Sequence, residues 1–237
     1  MRTIAVITAG LSTPSSTRQL ADMLADATVA AITARGESAE VEVIEVRDLA
    51  RDLADAFTVG GLSSARLDEA RRTVAAADGV IAVSPVFKAS YSGLFKMFVD
   101  SLDDDALRSV PTVLGATAGT ARHSLAVDHA LRPLFSYMGA MVAPTGVFAA
   151  TDDFGAATFT GGGGGGGTGA TANGADGNGG GTAPLTSRVS RAAGELADLV
   201  LAQGVGGLAA GTTRRSGSGI EEPSGPSFGD LLKGHLG

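Results

Sequence analysis

The sequence predicts an α/β domain built on a doubly wound, five-stranded parallel sheet of order 2-1-3-4-5. Three observations lead to that expectation. The runs 3-TIAVIT-8, 79-GVIAVS-84 and 110-VPTVLGAT-117 are apolar and rich in β-branched residues throughout, as strands buried on both faces are. Helix-period segments separate them, so strand and helix alternate along the first 150 residues. Right-handed crossovers then put helices on both faces of one sheet. With 237 residues, 44% of them hydrophobic, the chain can bury a core of that size.

Taken in order, 3–8 is the first strand and 10-GLSTPSSTR-18 ends it with turn chemistry. Leu20, Leu24, Ala27 and Ala31 then mark the apolar stripe of a helix closed by Arg35-Gly36. The alternating 41-VEVIEV-46 suits an outer strand, and 47–64 reads as loop and short helix. A helix over 66–77 leads to the buried strand at 79–84, and 93-GLFKMFVDSL-102 is the helix after it. The strand at 110–117 precedes a single helix over 123–138 and a last strand over 140–149. The domain core is therefore expected over 1–155. From Gly161 to Gly181, 13 of 21 residues are glycine, which leaves nothing apolar to offset the entropy of ordering, so 156–183 is expected to be a disordered insertion. Residues 184–204 return to helix, with Leu185, Val189, Leu196 and Leu199 on one stripe that docks on the same domain, and 205–237 reads as a flexible tail.

Charge and composition narrow the function. There are 18 basic and 25 acidic residues, a net of −7 with no Lys/Arg run, so a nucleic-acid partner is not expected. The absence of cysteine excludes disulfides, thiolate metal sites and thiol catalysis. The opening MRTIAVITAG is too short to span a membrane and lacks a signal-peptide pattern, so a cytoplasmic protein is expected. His123 and His129 are six residues apart, which does not align them on one helical face for metal ligation, and Asp103-Asp104-Asp105 reads as a solvated turn.

In the order 2-1-3-4-5 the loops after Thr8, Ser84 and Thr117 converge at the carboxyl edge of the sheet, where ligands bind in folds of this kind. These three loops have unusual composition. The first presents Ser12, Thr13, Ser15, Ser16 and Thr17 just before a helix, whose free N–H groups and positive dipole end suit a phosphate. An ordinary N-cap needs only one such hydroxyl. Neither GxxxxGK[ST] nor GxGxxG is present, so a triphosphate loop or a dinucleotide turn is not supported. The second loop, 84-SPVFKASYSGLFK-96, sets Val86 and Phe87 beside the N–H groups of Lys88 to Ser90, within reach of a flat heterocycle. The lesser alternative is a surface loop whose Phe87 and Tyr91 merely cap the core. The third, 117-TAGT-120, is small where backbone must approach a ligand.

In this order and spacing, GLSTPSST, SPVFKASYSGLFK and ATAGTARHSLAVDHALRPLF resemble the NAD(P)H-dependent FMN reductases of flavodoxin-like fold. The likeness is to those that supply reduced FMN to luciferase-like two-component monooxygenases, and it covers roughly residues 1–150. The resemblance implies FMN phosphate on Ser12, Ser15, Ser16 and Thr17. It implies an isoalloxazine edge held by Pro85, Val86, Phe87, Lys88, Ala89 and Ser90, and by Ala118, Gly119 and Thr120. Phe87 stands where many relatives carry Tyr, and Ser16 where some carry Arg, which leaves Arg18 to supply charge to the phosphate. Hydride would pass from nicotinamide to flavin without a catalytic side chain, and backbone N–H groups at 118–120 would favour the anionic reduced flavin. The resemblance further implies a flavin-dependent monooxygenase as partner and a homodimer or homotetramer. Two other readings stay open: a quinone or azo reductase with tightly bound FMN, and a flavodoxin-type electron carrier without a nicotinamide site.

Overall fold

The buried run at the start of the chain decides the architecture. In the computed structural model, which describes residues 1–59, 63–155 and 183–205, β1 (Arg2–Thr8) is flanked by β2 (Ala39–Glu45) and β3 (Gly79–Phe87), both parallel to it. The short β4 (Ser90–Tyr91) folds back antiparallel on the end of β3. On the other side of β3 lies β5 (Pro111–Ala118), followed by β6 (Met141–Val142) and β7 (Val147–Ala150), each parallel to β5. The order β2-β1-β3-β5-β6 is the predicted one, with the fifth strand in two pieces. The predicted glycine-rich insertion at 156–183 and the tail at 205–237 lie outside the described residues, apart from Ala183 and Val205.

Alternation along β1 builds the two faces. Ala5 and Ile7 point into a core with Leu53 of α2 (Ala50–Thr58), Leu67 and Val74 of α3 (Ala65–Ala76), Phe95 and Phe98 of α4 (Gly93–Asp100), and Phe135 of α5 (Arg132–Tyr137). Ile4 and Val6 point the other way, toward Leu20 and Leu24 of α1 (Ser16–Ala34) and Leu196 and Val200 of α6 (Leu185–Val205). The helix after the glycine-rich segment therefore completes the sheet's second layer. Its approach is close: a Cβ on Gly79 would sit 2.8 Å from Val200 Cγ2. Leu196 is fully buried, and truncating such a leucine to alanine costs roughly 2–5 kcal/mol.

Two predicted elements are interrupted, each beside a proline. The last strand breaks at Ala143–Gly146, where Pro144 has no N–H for a ladder. Thr145 instead donates from N and Oγ1 to the Glu195 carboxylate, both at 2.7 Å, and Arg132 donates to the carbonyls of Ala143 and Pro144. The helix predicted over 123–138 is a 3-10 turn at Ala121–His123, a π turn at Val127–Leu131 and then α5. Pro133 cannot donate to an i−4 carbonyl, and the wider turn accommodates that loss where it begins. The described residues of the region 47–64 include a 3-10 turn at Val46–Leu49 and then α2.

The second loop is a hairpin. Val86 pairs with Tyr91 and Phe87 with Ser90, so Lys88 and Ala89 form a two-residue turn with φ of 52° and 67°. That pattern belongs to type I′, which favours Asn-Gly because both residues need positive φ. A side chain in the left-handed region costs about 1–2 kcal/mol. Replacing Ala89 with glycine should therefore stabilise the protein by about 0.5–1 kcal/mol, the strain relieved less the greater entropy of glycine. Ala89→Pro should act oppositely, since the ring holds φ near about −65°. Thermal denaturation of both variants reads the difference, and equal melting temperatures would contradict the strained turn.

Candidate functional site

Register brings the three loops together. Thr8 lies opposite Val83, the Ala9 N–H donates to the Val83 carbonyl at 3.1 Å, and Pro85 lies opposite Thr117. The first, second and third loops thus leave the same edge of three adjacent strands. In the second, the Ser84 hydroxyl accepts from the Ser92 N–H at 3.0 Å and donates to the Pro85 carbonyl at 2.9 Å, closing the hairpin base onto α4. Ser92 in turn caps α4 by accepting from the Phe95 N–H. The hairpin tip is open: Phe87 is 48% exposed, and Lys88 and Ala89 are exposed beside it. In the third loop a Cβ on Gly119 would meet nothing within 4 Å, so space lies above the turn.

The first loop divides the predicted hydroxyls among different tasks. Ser15 is the N-cap of α1, accepting from the Arg18 N–H at 3.2 Å, so its own proton remains free to donate outward. Ser16 has no protein partner among the described residues and faces partly outward. Ser12 donates to the Pro14 carbonyl at 2.8 Å. Thr17 is buried and shares a 2.7 Å hydrogen bond with the Thr117 hydroxyl, which ties the helix start to β5. Thr17 therefore positions the loop instead of lining its mouth. Among the described residues the N–H groups of Leu11, Ser12, Thr13, Ser16 and Thr17 have no protein acceptor.

The loop fits a phosphate on two further observations. Thr8 Oγ1 is fully buried on the α1 side of the sheet with no hydrogen-bond partner, an unmet polar group beneath the loop. Gly10 is packed so closely that a Cβ would fall 2.0 Å from Ser15 Oγ, so only glycine lets the cap serine sit under the loop. Electrostatics do not follow the expectation for Arg18. Its guanidinium bonds Asp22 at 2.7 Å and Glu45 at 2.6 Å, and hydrogen bonds first from Asp22 and then from Glu45 push its pKa up further. It is charged but already matched by two carboxylates. Arg47, just after β2, was not singled out in the sequence; its Nη1 donates to the Ser12 carbonyl at 2.9 Å and Thr13 Oγ1 at 2.7 Å. Its only signal is its place at the carboxyl end of the strand next to β1.

Elsewhere the residues singled out as non-functional are exposed. His123, His129 and Asp103 to Asp105 face solvent. Among the described residues no three His, Cys, Asp or Glu side chains gather as a metal-binding group, and no helix is long and apolar enough to cross a membrane.

Comparison with known proteins shows the family. Residues 2–155 match the family described as NADPH-dependent FMN reductase. The NADH-dependent FMN reductase SfnF of Pseudomonas putida is 36% identical over 151 residues, covering 64% of this chain and 78% of its own. The FMN reductase (NADPH) of Pseudomonas aeruginosa is 37% identical over 153 residues, covering 64% and 78%. A crystal structure of an oxidoreductase from Corynebacterium diphtheriae superposes with a TM-score of 0.71 at 50% identity, covering 85% of this chain and 97% of that one. A flavodoxin from the domain Archaea, 14% identical with a TM-score of 0.51 over 85% of this chain and 99% of its own, shares the fold alone.

The packing at Gly10 sets a test. Gly10→Ala should push Ser15 from the cap and weaken FMN at least about tenfold, because losing charge-assisted hydrogen bonds of this kind costs about 1.5–3 kcal/mol each. Titration of flavin fluorescence measures it; an unchanged dissociation constant would mean that Ser15 and the loop above it do not contact the flavin nucleotide.

Proposed function

Because the chain belongs to the NADPH-dependent FMN reductase family, and is an oxidoreductase of the flavodoxin-like fold, we propose that it reduces FMN as an exchangeable substrate and releases the product to a flavin-dependent monooxygenase. The observation that carries this reading is the convergence of three loops, one rich in phosphate donors and two open above the sheet edge. The bound flavin and nicotinamide supply the hydride acceptor and donor themselves. What the chain contributes is position and charge.

The phosphate end is held by Ser15, Ser16 and the N–H groups of 11–13 and 16–17, at the positive end of a 19-residue helix. Ser12 shapes the loop through its bond to Pro14, and Thr17 fixes its floor. Pro85 to Ser90 flank the ring as an exposed hairpin, with Phe87 offering an apolar face. Ala118, Gly119 and Thr120 approach from the neighbouring strand, where their N–H groups favour negative charge on the reduced ring. Contact at one edge and one end favours exchange over permanent retention. Both NADH and NADPH fit this reading, since the names of the two relatives divide between them.

Steady-state oxidation of NADH and NADPH, with and without added FMN, tests the proposal. Turnover should depend on added FMN and saturate with it. A protein that turned over a quinone without added FMN would be a reductase with retained flavin. One that bound FMN but oxidised neither nucleotide would be an electron carrier.

A further inference from the structure

We infer that Arg47 is the residue that supplies positive charge to the flavin phosphate and holds the first loop in shape to receive it. The inference rests on the reading of that loop as the phosphate site. It starts from an imbalance: the loop 10–17 holds hydroxyls and free N–H groups but no cation, while a phosphate monoester carries nearly two negative charges at neutral pH. Neutral donors at a helix end accommodate part of that charge. A guanidinium within reach would accommodate the rest.

Two guanidiniums line the hollow of about 590 Å³ beside the loop, those of Arg18 and Arg47. Their environments differ. Arg18 is closed between Asp22 and Glu45 at hydrogen-bond distance, so its charge is spent locally. The carboxylates nearest Arg47, Glu45 and Asp48, stand off at 3.7 Å from Nε, and Glu45 is already engaged by Arg18. Asp22 and Asp26 also line the hollow, on the α1 side. Arg47 spends one nitrogen, Nη1, on the loop itself, gripping the Ser12 carbonyl and the Thr13 hydroxyl. Its Nη2 has no partner among the described residues, and the side chain is 31% exposed.

That division of labour suits a phosphate clamp. The Ser12 carbonyl accepts from Arg47, while the N–H groups of Leu11, Ser12 and Thr13 have no protein acceptor among the described residues. The second nitrogen, Nη2, has no partner among the described residues, and a planar fork matches phosphate oxygens better than a point charge does. A glutamine at this position keeps a donor for the loop but loses the charge. A lysine keeps the charge but not the planar fork.

The test compares FMN with riboflavin, which lacks the phosphate, for the wild type, Arg47→Gln and Arg47→Lys, by fluorescence titration of the full chain alongside thermal denaturation. The wild type should bind FMN at least about tenfold more tightly than riboflavin. Arg47→Gln should lose about tenfold of that preference with riboflavin affinity and melting temperature unchanged, and Arg47→Lys, which keeps the charge without the fork, should fall between Arg47→Gln and the wild type. Full preference retained in Arg47→Gln would overturn the inference, as would equal weakening of both flavins, which is what a purely structural role predicts. A changed NADPH-to-NADH ratio with unchanged flavin preference would overturn it too, by assigning Arg47 to the nucleotide. A wild type without preference for FMN would instead overturn the phosphate reading of the loop, with Arg47 falling alongside it.

Discussion

A single buried hydrogen bond, 2.7 Å between the hydroxyls of Thr17 and Thr117, holds the site in register. It joins residues a hundred positions apart, one in the first turn of α1 and the other at the end of β5. Its net contribution is of the order of 1 kcal/mol, but losing one partner would strand the other hydroxyl in the core at a cost of about 1–3 kcal/mol. It ties the start of α1 to the strand that leads into the third loop. Together with the Ala9 to Val83 bond, which holds the first loop to β3, it makes three loops behave as one surface. A site assembled from loops gains its precision from rigid elements beneath them, and here those elements are the three central strands.

The strands that carry the loops were legible because burial on both faces leaves a continuous apolar run, and β1, β3 and β5 each have one. The outer position of β2 was legible from its alternation, and the covering role of α6 from its stripe. What escaped was nonlocal. Lys88-Ala89 carries none of the residues that advertise a two-residue turn, so the hairpin is imposed by Ser84, Ser92 and the pairing of Phe87 with Ser90. Pro133 and Pro144 were visible, but the surrounding periodicity read through them. The pairing of Thr17 with Thr117 left no pattern, and neither did the reach of Arg47 across to the first loop. Arg18 stands two residues from Ser16, where some relatives carry Arg, yet proximity in sequence could not show that Asp22 and Glu45 enclose it.

The chemistry of the family explains why the site needs no acid, base or nucleophile. Hydride transfer between two organic rings asks the protein for stacking room, an edge of donors and a grip on the phosphate tail. On the proposed function, those demands would fall on backbone and small side chains, at Ser15, Ser16 and Gly119, and on the strained turn at Lys88-Ala89. A backbone held at positive φ without glycine persists only where the surroundings over-determine it, and such strain gathers at binding sites.

The central claim is that the flavin phosphate sits among donors at the start of α1. Phosphorus-31 NMR of FMN titrated with pH, free and in the presence of excess protein, tests it directly. Donors aimed at the dianion favour it over the monoanion, so the bound phosphate should keep its second charge to lower pH than free FMN, whose second pKa lies near about 6. A bound phosphate that titrated as it does free in solution would contradict the account, because it would place that end of the flavin in water and away from the first loop.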